Sequence, residues 1–402
     1  MPAISRTPRS RPALTATAAV AALALAATAC AGARAGGGAA DTPGAEAKAR
    51  TGGDTGSGGK APAVREETRS LDELYRAAKA EGGRLTIYAG GDTPTQQNAT
   101  KAAFTKRFPD IKLNMVVDYS KYHDARIDNQ LATDTLVPDV TQLQTLQDFT
   151  RWKAEGKLLP YKPAGFARVH EKFKDKDGAW TAIGAYSFSL VHNNAQVGAA
   201  APGSARELTD PKWKGRIAST YPNDDDAALF LYKKYVDTYG WKWLAALAKQ
   251  DLRFRRGSNT PADAVDAGTS AVGLATGGSP VRTPGAKATW IVPKNGEPFM
   301  AWGQRAAILK GAKHPHAARL YLNWAVSREV QSAGGGWNVR TDVAPTGGLK
   351  PIWEYPNAHL DGFVSFMEDR AGAERLRQTM TLYFGEVRGR PSPGRLGLHP
   401  GR

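Results

Sequence analysis

Cysteine is almost absent from this chain: one residue, Cys30, among 402. A single thiol excludes an internal disulfide and a cysteine-rich metal cluster, since both need at least two. The chain also lacks a Gly-x-Ser-x-Gly nucleophile elbow, and no two histidines four residues apart enclose a glutamate. Two common hydrolase motifs are therefore missing.

Acidic residues are in the minority, and the formal net charge is +16, from 54 Lys and Arg against 38 Asp and Glu. Such a charge would suit nucleic acid or an anionic membrane as a binding partner. The basic residues are scattered, however, and only residues 253–256 form a dense cluster with an aromatic inside it. Zinc-finger spacing, an aromatic RNA-binding signature and a basic region followed by heptads are all missing. We therefore expect a solvated basic surface and no nucleic-acid partner.

The first thirty residues have the parts of a secretory signal. A basic start over residues 1–11 precedes an apolar stretch at 13–29, and small residues stand directly before Cys30. The stretch is too short and too rich in alanine to indicate a membrane span. The position of Cys30 resembles the bacterial lipoprotein signal, in which the cysteine becomes the acylated first residue, although Leu25 lies two positions further upstream than that pattern prefers. We predict a signal peptide over 1–30 and a lipid anchor on the outer face of the cell membrane; a plain secretory signal with a chance cysteine is the alternative.

Residues 31–65 contain mainly Gly, Ala, Thr, Asp and Lys, with almost no bulky apolar side chains. Such a segment buries too little surface to offset the entropy cost of ordering. We predict a flexible tether between the anchor and a globular part.

From residue 70 onward, helical and strand patterns alternate. Ser70 and Glu73 form a capping box, and residues 82–83 are glycines that end the first helix. Helices are predicted at 71–81, 95–108, 123–133, after Asn223, and at 316–330. Strands are predicted at 84–88, 112–117, 139–142, 180–192, 216–220, 271–275 and 288–292. Strands that alternate with helices in this way predict an α/β fold with a parallel sheet.

Several segments, in their order along the chain, carry a family resemblance. They are LYRAAKAEG at 74–82, TIYAG at 86–90, ELTDPKWKGRI at 207–217, AVGL at 271–274 and KHPHAARL at 313–320. The chain resembles the extracellular solute-binding proteins of ABC importers, in the branch that contains ferric-ion-binding proteins. The resemblance covers about residues 71–342, and 208–217 is its most specific part.

This resemblance implies a two-lobed type II periplasmic-binding-protein fold, with parallel or mixed sheets, a hinge, and a small ligand in the cleft between the lobes. We expect lobe 1 at 66–182 plus 288–345 and lobe 2 at 183–287, with 346–402 packing on a lobe and ending in a basic tail. The implied function is capture of a small molecule and its delivery to an ABC permease, by a monomer without cofactor or enzymatic activity. A surface-anchored hydrolase or other extracellular enzyme is the alternative, because the spatial pairing of carboxylates is not readable from sequence.

The cleft is expected beyond the carboxyl ends of the strands, where ligands of open α/β sheets bind. The candidate ligand-binding residues in the loops there are Tyr88, Gly90, Gly91, Asp92, Gln144, Thr145, Ser219, Thr220, Tyr221, Asp224, Asp225, Gly277 and Gly278. Each has a structural alternative: the glycines suit a tight turn, Tyr88 suits a core, and Asn223 or Asp224 suits a helix N-cap.

Ferric-binding members of the family place two adjacent tyrosines after the strand that matches residues 272–274. The matching positions here are about Gly278 and Ser279, while the acidic ligand falls near Gln144 and the histidine ligand near Gly91 or Asp92. A hard trivalent cation needs anionic oxygen ligands. We therefore expect no metal and a small organic ligand.

The charge of that ligand stays open at this point. Helix N-termini and glycine-rich loops suit an oxyanion. Residues 224–226 are three consecutive aspartates, which disfavour an anion beside them. An amine or a zwitterion, with its ammonium near 224–226 and a ring against Tyr88 or Tyr221, fits both features.

Overall fold

The computed structural model describes residues 63–294 and 296–402. The predicted signal peptide, the acylation site Cys30 and the tether as far as residue 62 lie outside the described residues. In the described part, the α-helices are α1 (Leu71–Ala80), α2 (Asn98–Arg107), α3 (Ser120–Ala132), α4 (Leu146–Ala154), α5 (Asn194–Val197), α6 (Asp226–Tyr239), α7 (Trp241–Ala248), α8 (Thr260–Asp266), α9 (Pro315–Ala325), α10 (Arg328–Ala333), α11 (Leu360–Glu368) and α12 (Arg370–Phe384). The strands there are β1 (Arg84–Gly90), β2 (Lys112–Asp118), β3 (Val140–Leu143), β4 (Leu158–Leu159), β5 (Thr181–Asn193), β6 (Ile217–Thr220), β7 (Arg253–Arg255), β8 (Val272–Gly277), β9 (Ala288–Trp290) and β10 (Met300–Leu309).

The strands form one mixed sheet in the order β2-β1-β3-β10-β5-β8-β6-β7. At one side β1 runs parallel to β2 and β3, and at the other β6 runs parallel to β7 and β8. We call β2, β1, β3 and their helices the first half, and β8, β6, β7 and their helices the second half. The predicted α/β class is confirmed.

Two long antiparallel strands, β5 and β10, join the halves. The end of β10, Arg305–Ile308, pairs with β3, whereas the end of β5, Phe188–His192, pairs with β8. Between these ends β5 and β10 pair with each other. Strand β10 is therefore bonded to the first half and β5 to the second, and the pairing of β5 with β10 links the halves, which is the position that a hinge requires.

Strand β10 was not predicted from the sequence. All ten of its residues are buried, so it lacks the alternation of apolar and polar residues by which a half-exposed strand is recognised. Its Gly303, Gln304 and Arg305 further interrupt the apolar pattern.

The capping signal at the start of α1 is confirmed. Ser70 Oγ accepts a hydrogen bond from the Glu73 amide at 3.2 Å, and the Glu73 carboxylate accepts one from the Ser70 amide at 2.7 Å. Leu74 and Ala78, one turn apart, are fully buried in a core shared with Tyr321 of α9. The predicted amphipathic face therefore docks α1 onto the first half.

The single helix predicted at 316–330 is wrong. Helix α9 ends at Ala325 and α10 begins at Arg328. Ser327 starts the second helix because its Oγ accepts a hydrogen bond from the Val330 amide at 3.2 Å.

The C-terminal segment contacts both halves. Phe363 of α11 packs against Phe230 of α6, with ring centroids 5.3 Å apart, in the core of the second half. Further on, the Pro400 carbonyl accepts a hydrogen bond of 2.8 Å from the Tyr88 hydroxyl of the first half. The chain after α12 thus crosses from one half to the other.

Candidate functional site

A cavity of about 780 Å³ lies where the two halves meet. It opens at the carboxyl ends of β1, β3, β6 and β8, and the middle of β5 and β10 forms its floor. We call this cavity the cleft. Nine of the thirteen candidate residues line it: Gly90, Gly91, Asp92, Gln144, Thr145, Asp224, Asp225, Gly277 and Gly278.

The other four candidate residues do not line the cleft. Tyr88 is fully buried on the α3 face of the sheet, where it stacks on His123 with ring centroids 4.5 Å apart. Ser219 and Thr220 are buried within β6, and the Ser219 hydroxyl lies 2.7 Å from that of Tyr232. Tyr221 stacks on Phe254 beside a second, smaller cavity of about 470 Å³.

Asp92 connects the two halves across the cleft. It follows β1 of the first half, yet its Oδ2 accepts hydrogen bonds from Ser258 Oγ and the Asn259 amide of the second half, both at 2.9 Å. Burial raises the pKa of Asp92 above its usual value, against the effect of these hydrogen bonds. The carboxylate takes up amide donors just before α8, in a place where an anion would otherwise be stabilised.

Asp225 is the N-cap of α6, one residue after the positions that the sequence suggested for the cap. Its Oδ1 accepts hydrogen bonds from the amides of Ala227 and Ala228 at 2.8 and 2.9 Å. Burial raises the pKa of Asp225 to about 7, and the charges of Asp92 and Asp226 add to this shift. Asp225 is therefore both a helix cap and part of the cleft wall.

The aspartates on either side of Asp225 each have two cationic partners. Asp224 accepts hydrogen bonds from Arg256 Nε and Nη2, both at 2.7 Å, and lies 2.5 Å from Lys121 Nζ. Burial works against ionisation, but Arg256 and Lys121 outweigh it and lower the pKa of Asp224. Asp226 pairs with Arg370 at 3.1 Å and also with Arg377.

Aromatic side chains of the two long strands form the apolar part of the cleft. Tyr186 of β5 stacks on Trp302 of β10, with ring centroids 5.7 Å apart and planes at 23°. The Trp302 indole donates a 3.0 Å hydrogen bond to Gln304 Oε1 and is itself buried. Tyr186 stays 43% exposed and lines the cavity.

Sequence reasoning missed these aromatics. The strand that contains Tyr186 was predicted, and alternation within it would have grouped Tyr186 with Phe188 on one face. No local pattern indicated that this face meets the cleft.

The positions that correspond to the ferric ligands do not fit a metal. Gly278 and Gln144 line the cleft, and a side chain at Gly278 would collide with the indole of Trp290. In the ranges 63–294 and 296–402, no three His, Cys, Asp or Glu side chains come together as a metal site. The same ranges contain no helix that is long and apolar enough to cross a membrane.

The family described as bacterial extracellular solute-binding protein matches residues 137–335. The Fe(3+)-binding periplasmic protein of Serratia marcescens is 31% identical over 116 residues, which make up 28% of this chain and 33% of that protein.

Two solved structures are similar over most of the described chain. Iron-bound HitA from Pseudomonas aeruginosa has a TM-score of 0.58 and 20% identity, over 74% of this chain and 99% of that chain. The periplasmic binding protein AfuA from Actinobacillus pleuropneumoniae, with fructose-6-phosphate bound, has a TM-score of 0.58 and 21% identity, over 76% and 100% of the two chains. At this level of identity the likeness concerns the fold, and it confirms the predicted type II periplasmic-binding-protein fold.

Proposed function

We propose that this chain, which matches the bacterial extracellular solute-binding proteins over residues 137–335, is the ligand-binding component of an ABC importer: it captures a small organic molecule in the cleft and delivers it to a membrane permease. Members of this family are binding proteins and not enzymes. No observation favours the hydrolase alternative.

The observation that carries the proposal is the position of the cleft. It lies between two sheet halves that are joined by the long strands β5 and β10, and Asp92 bridges it to Ser258. Hinge motion in such strands would open and close the cleft. The lobe boundaries that we propose are 66–182 plus 288–345 and 183–287.

An organic ligand is favoured over ferric iron by the residues of the cleft. HitA binds iron and AfuA binds fructose-6-phosphate, so the fold takes both kinds of cargo. Here Gly278, Ser279 and Gln144 supply no anionic oxygen at the positions of the ferric ligands, while Tyr186 and Trp302 supply an aromatic wall. Ligand pockets for organic molecules combine such apolar walls with a few polar groups.

The proposal is tested by recovery of the ligand. The protein is purified from the organism that makes it, denatured, and the released small molecules are identified by mass spectrometry. The recovered molecule is then titrated into wild type, Tyr186→Leu and the matched control Tyr383→Leu, whose ring stacks on Trp241 outside the cleft. We expect weaker binding only for Tyr186→Leu. Equal affinity of the ligand for all three proteins would show that it does not bind in the cleft.

We further propose that the protein acts as a monomer held at the outer face of the membrane by a lipid on Cys30. Cys30→Ser should release it into the medium and abolish labelling with radioactive palmitate. Retention of the variant at the membrane would contradict the anchor.

A further inference from the structure

Three carboxylates that line the cleft, those of Asp92, Asp225 and Asp263, lack a cationic partner within the described residues. In residues 63–294 and 296–402, Asp92 and Asp225 form no ion pair, whereas Asp224 and Asp226 each form two. One oxygen of Asp92 and one of Asp225 are engaged, Oδ2 and Oδ1 respectively. The other two oxygens, Asp92 Oδ1 and Asp225 Oδ2, accept no hydrogen bond from any described residue. They leave two carboxyl oxygens without a donor at the cleft wall.

A third acceptor stands beside them and is independent of the acidic residues. Asn223 lines the cleft, is only 7% exposed, and donates from its amide nitrogen to Thr381 Oγ1 at 2.9 Å and to the Gly385 carbonyl at 3.0 Å. These two bonds fix the orientation of the amide. Its Oδ1 is buried and receives no hydrogen bond within the described ranges. Buried carbonyl oxygens nearly always have a donor, and a donor group of a ligand would satisfy this one.

The aromatic wall adds a further preference. Tyr186 is exposed and lines the cleft, and Trp302 stacks on its ring. The face of an aromatic ring carries a negative potential and attracts cations. The free carboxylate oxygens, the Asn223 oxygen and the Tyr186 face all complement a group that is positively charged and donates hydrogen bonds.

An anionic ligand would meet competition at the starts of α6 and α8. Asp225 already accepts from the first free amides of α6, and Asp92 accepts from Asn259 directly before α8. An oxyanion at either position would have to displace a carboxylate of the protein itself. These helix starts are therefore closed to anions.

We propose that the cargo carries a protonated amine, held by Asp92, Asp225 and Asn223, with its organic part against Tyr186. This inference rests on the proposed capture of a solute in the cleft and specifies the charge of that solute. The recognised group is a primary ammonium, whose three N–H groups can reach all three acceptors.

The probes are amines with neutral partners of the same shape: tyramine against 4-propylphenol, and 3-aminopropan-1-ol against butan-1-ol, with putrescine and agmatine as further amines. Fructose 6-phosphate and ferric citrate represent anionic and metal cargo. Binding is measured by calorimetry and by quenching of tryptophan fluorescence at millimolar concentration. We expect at least one amine to bind, and its neutral partner to bind at least about tenfold more weakly.

The variants Asp92→Asn and Asp225→Asn preserve size and remove charge, and asparagine still caps a helix. Each should weaken amine binding about tenfold or more, while Asp361→Asn, an exposed aspartate that pairs with Lys172, should leave it unchanged. Circular dichroism confirms that the variants are folded.

Two results would overturn the inference: no amine binds at millimolar concentration, or an anionic probe binds and gains affinity in Asp225→Asn. The second result would leave the proposed capture of a solute in the cleft intact. The broader proposal, capture of a solute in the cleft, would fail on a different result. In that case the recovered ligand would bind Tyr186→Leu as tightly as wild type.

Discussion

Ser258 Oγ lies 2.9 Å from Oδ2 of Asp92, and this hydrogen bond joins the two halves of the protein across the mouth of the cleft. Ser258→Ala should favour the open form because one bridging donor is lost. We expect a larger radius of gyration by small-angle X-ray scattering and a free energy of unfolding lower by about 1 kcal/mol. Ser204→Ala is the control, since that hydroxyl bonds only to nearby Glu207. A radius unchanged from wild type would show that the bridge does not hold the cleft closed.

Asp225 makes the stability of the protein depend on pH. Its pKa is raised to about 7 in the folded protein, from 3.8, by burial and then by the charges of Asp92 and Asp226. A raised carboxyl pKa means that the folded state holds the proton more tightly than the unfolded state. The stabilisation is complete below the unfolded pKa and is lost as the pH rises through the folded pKa.

Asp225→Asn therefore should gain stability relative to wild type as the pH rises from about 4 to about 8. Urea denaturation across this range measures the difference. Asp237→Asn provides a control of opposite sign: burial opposes ionisation of Asp237, but Lys233 and Lys234 lower its pKa, so this variant should be least stable relative to wild type at high pH. If the curves of unfolding free energy against pH were parallel for wild type and Asp225→Asn, the raised pKa of Asp225 would be contradicted.

A buried ion pair anchors the C-terminal tail to the first half. Arg126 Nη1 lies 2.8 Å from Asp118 Oδ2, with side chains 5% and 1% exposed, and Arg126 also donates to the carbonyls of Arg395 and Gly397. Arg126→Met leaves Asp118 buried without its cation and should cost about 3–5 kcal/mol. Arg107→Met, at an exposed pair with Asp72, should cost about 0.2–1 kcal/mol. If urea denaturation gave equal losses of unfolding free energy for the two variants, the stabilising role of the buried Arg126–Asp118 pair would be contradicted.

A substitution at Gly278 tests whether this cleft can accommodate a side chain at the position where ferric-binding members of the family have a ligand residue. A Cβ at this position meets the indole of Trp290, whereas a Cβ at Gly334 lies 3.8 Å from its nearest neighbour. Gly278→Ala should therefore lower the free energy of unfolding by ~1–3 kcal/mol through overpacking, and Gly334→Ala should change it far less. A Gly278→Ala protein as stable as wild type would show that Trp290 moves freely and that a larger ligand residue is tolerated there.

Much of the fold was readable because its signals are local. The capping box at Ser70, the glycines after α1 and the alternation of strands and helices placed most elements of the first half. The loops after β1, β3, β6 and β8 were correctly brought together because parallel strands share their carboxyl ends. Nine candidate residues line the cleft for that reason.

The rest depends on contacts between segments that are distant along the chain. Tyr88 and Tyr221 were expected to face a ligand, but Tyr88 stacks on His123 and Tyr221 on Phe254. The aromatics that line the cleft, Tyr186 and Trp302, come from the long strands, whose position between the halves follows from the complete sheet order. Likewise, only the folded chain brings Arg256 to Asp224, while Asp225 next to it has no cationic partner among the described residues.

The central claim, that the cleft closes on a solute, is tested most directly by distance measurements between spin labels. Cys30 is the only cysteine of the chain, so two cysteines can be added without interference to a variant that lacks it. Thr95 and Arg255 are exposed and stand near cleft-lining residues of opposite halves. With Thr95→Cys and Arg255→Cys labelled, the recovered ligand should shift the distance distribution to shorter values and narrow it. A distribution that does not change when saturating ligand is added would contradict capture by closure.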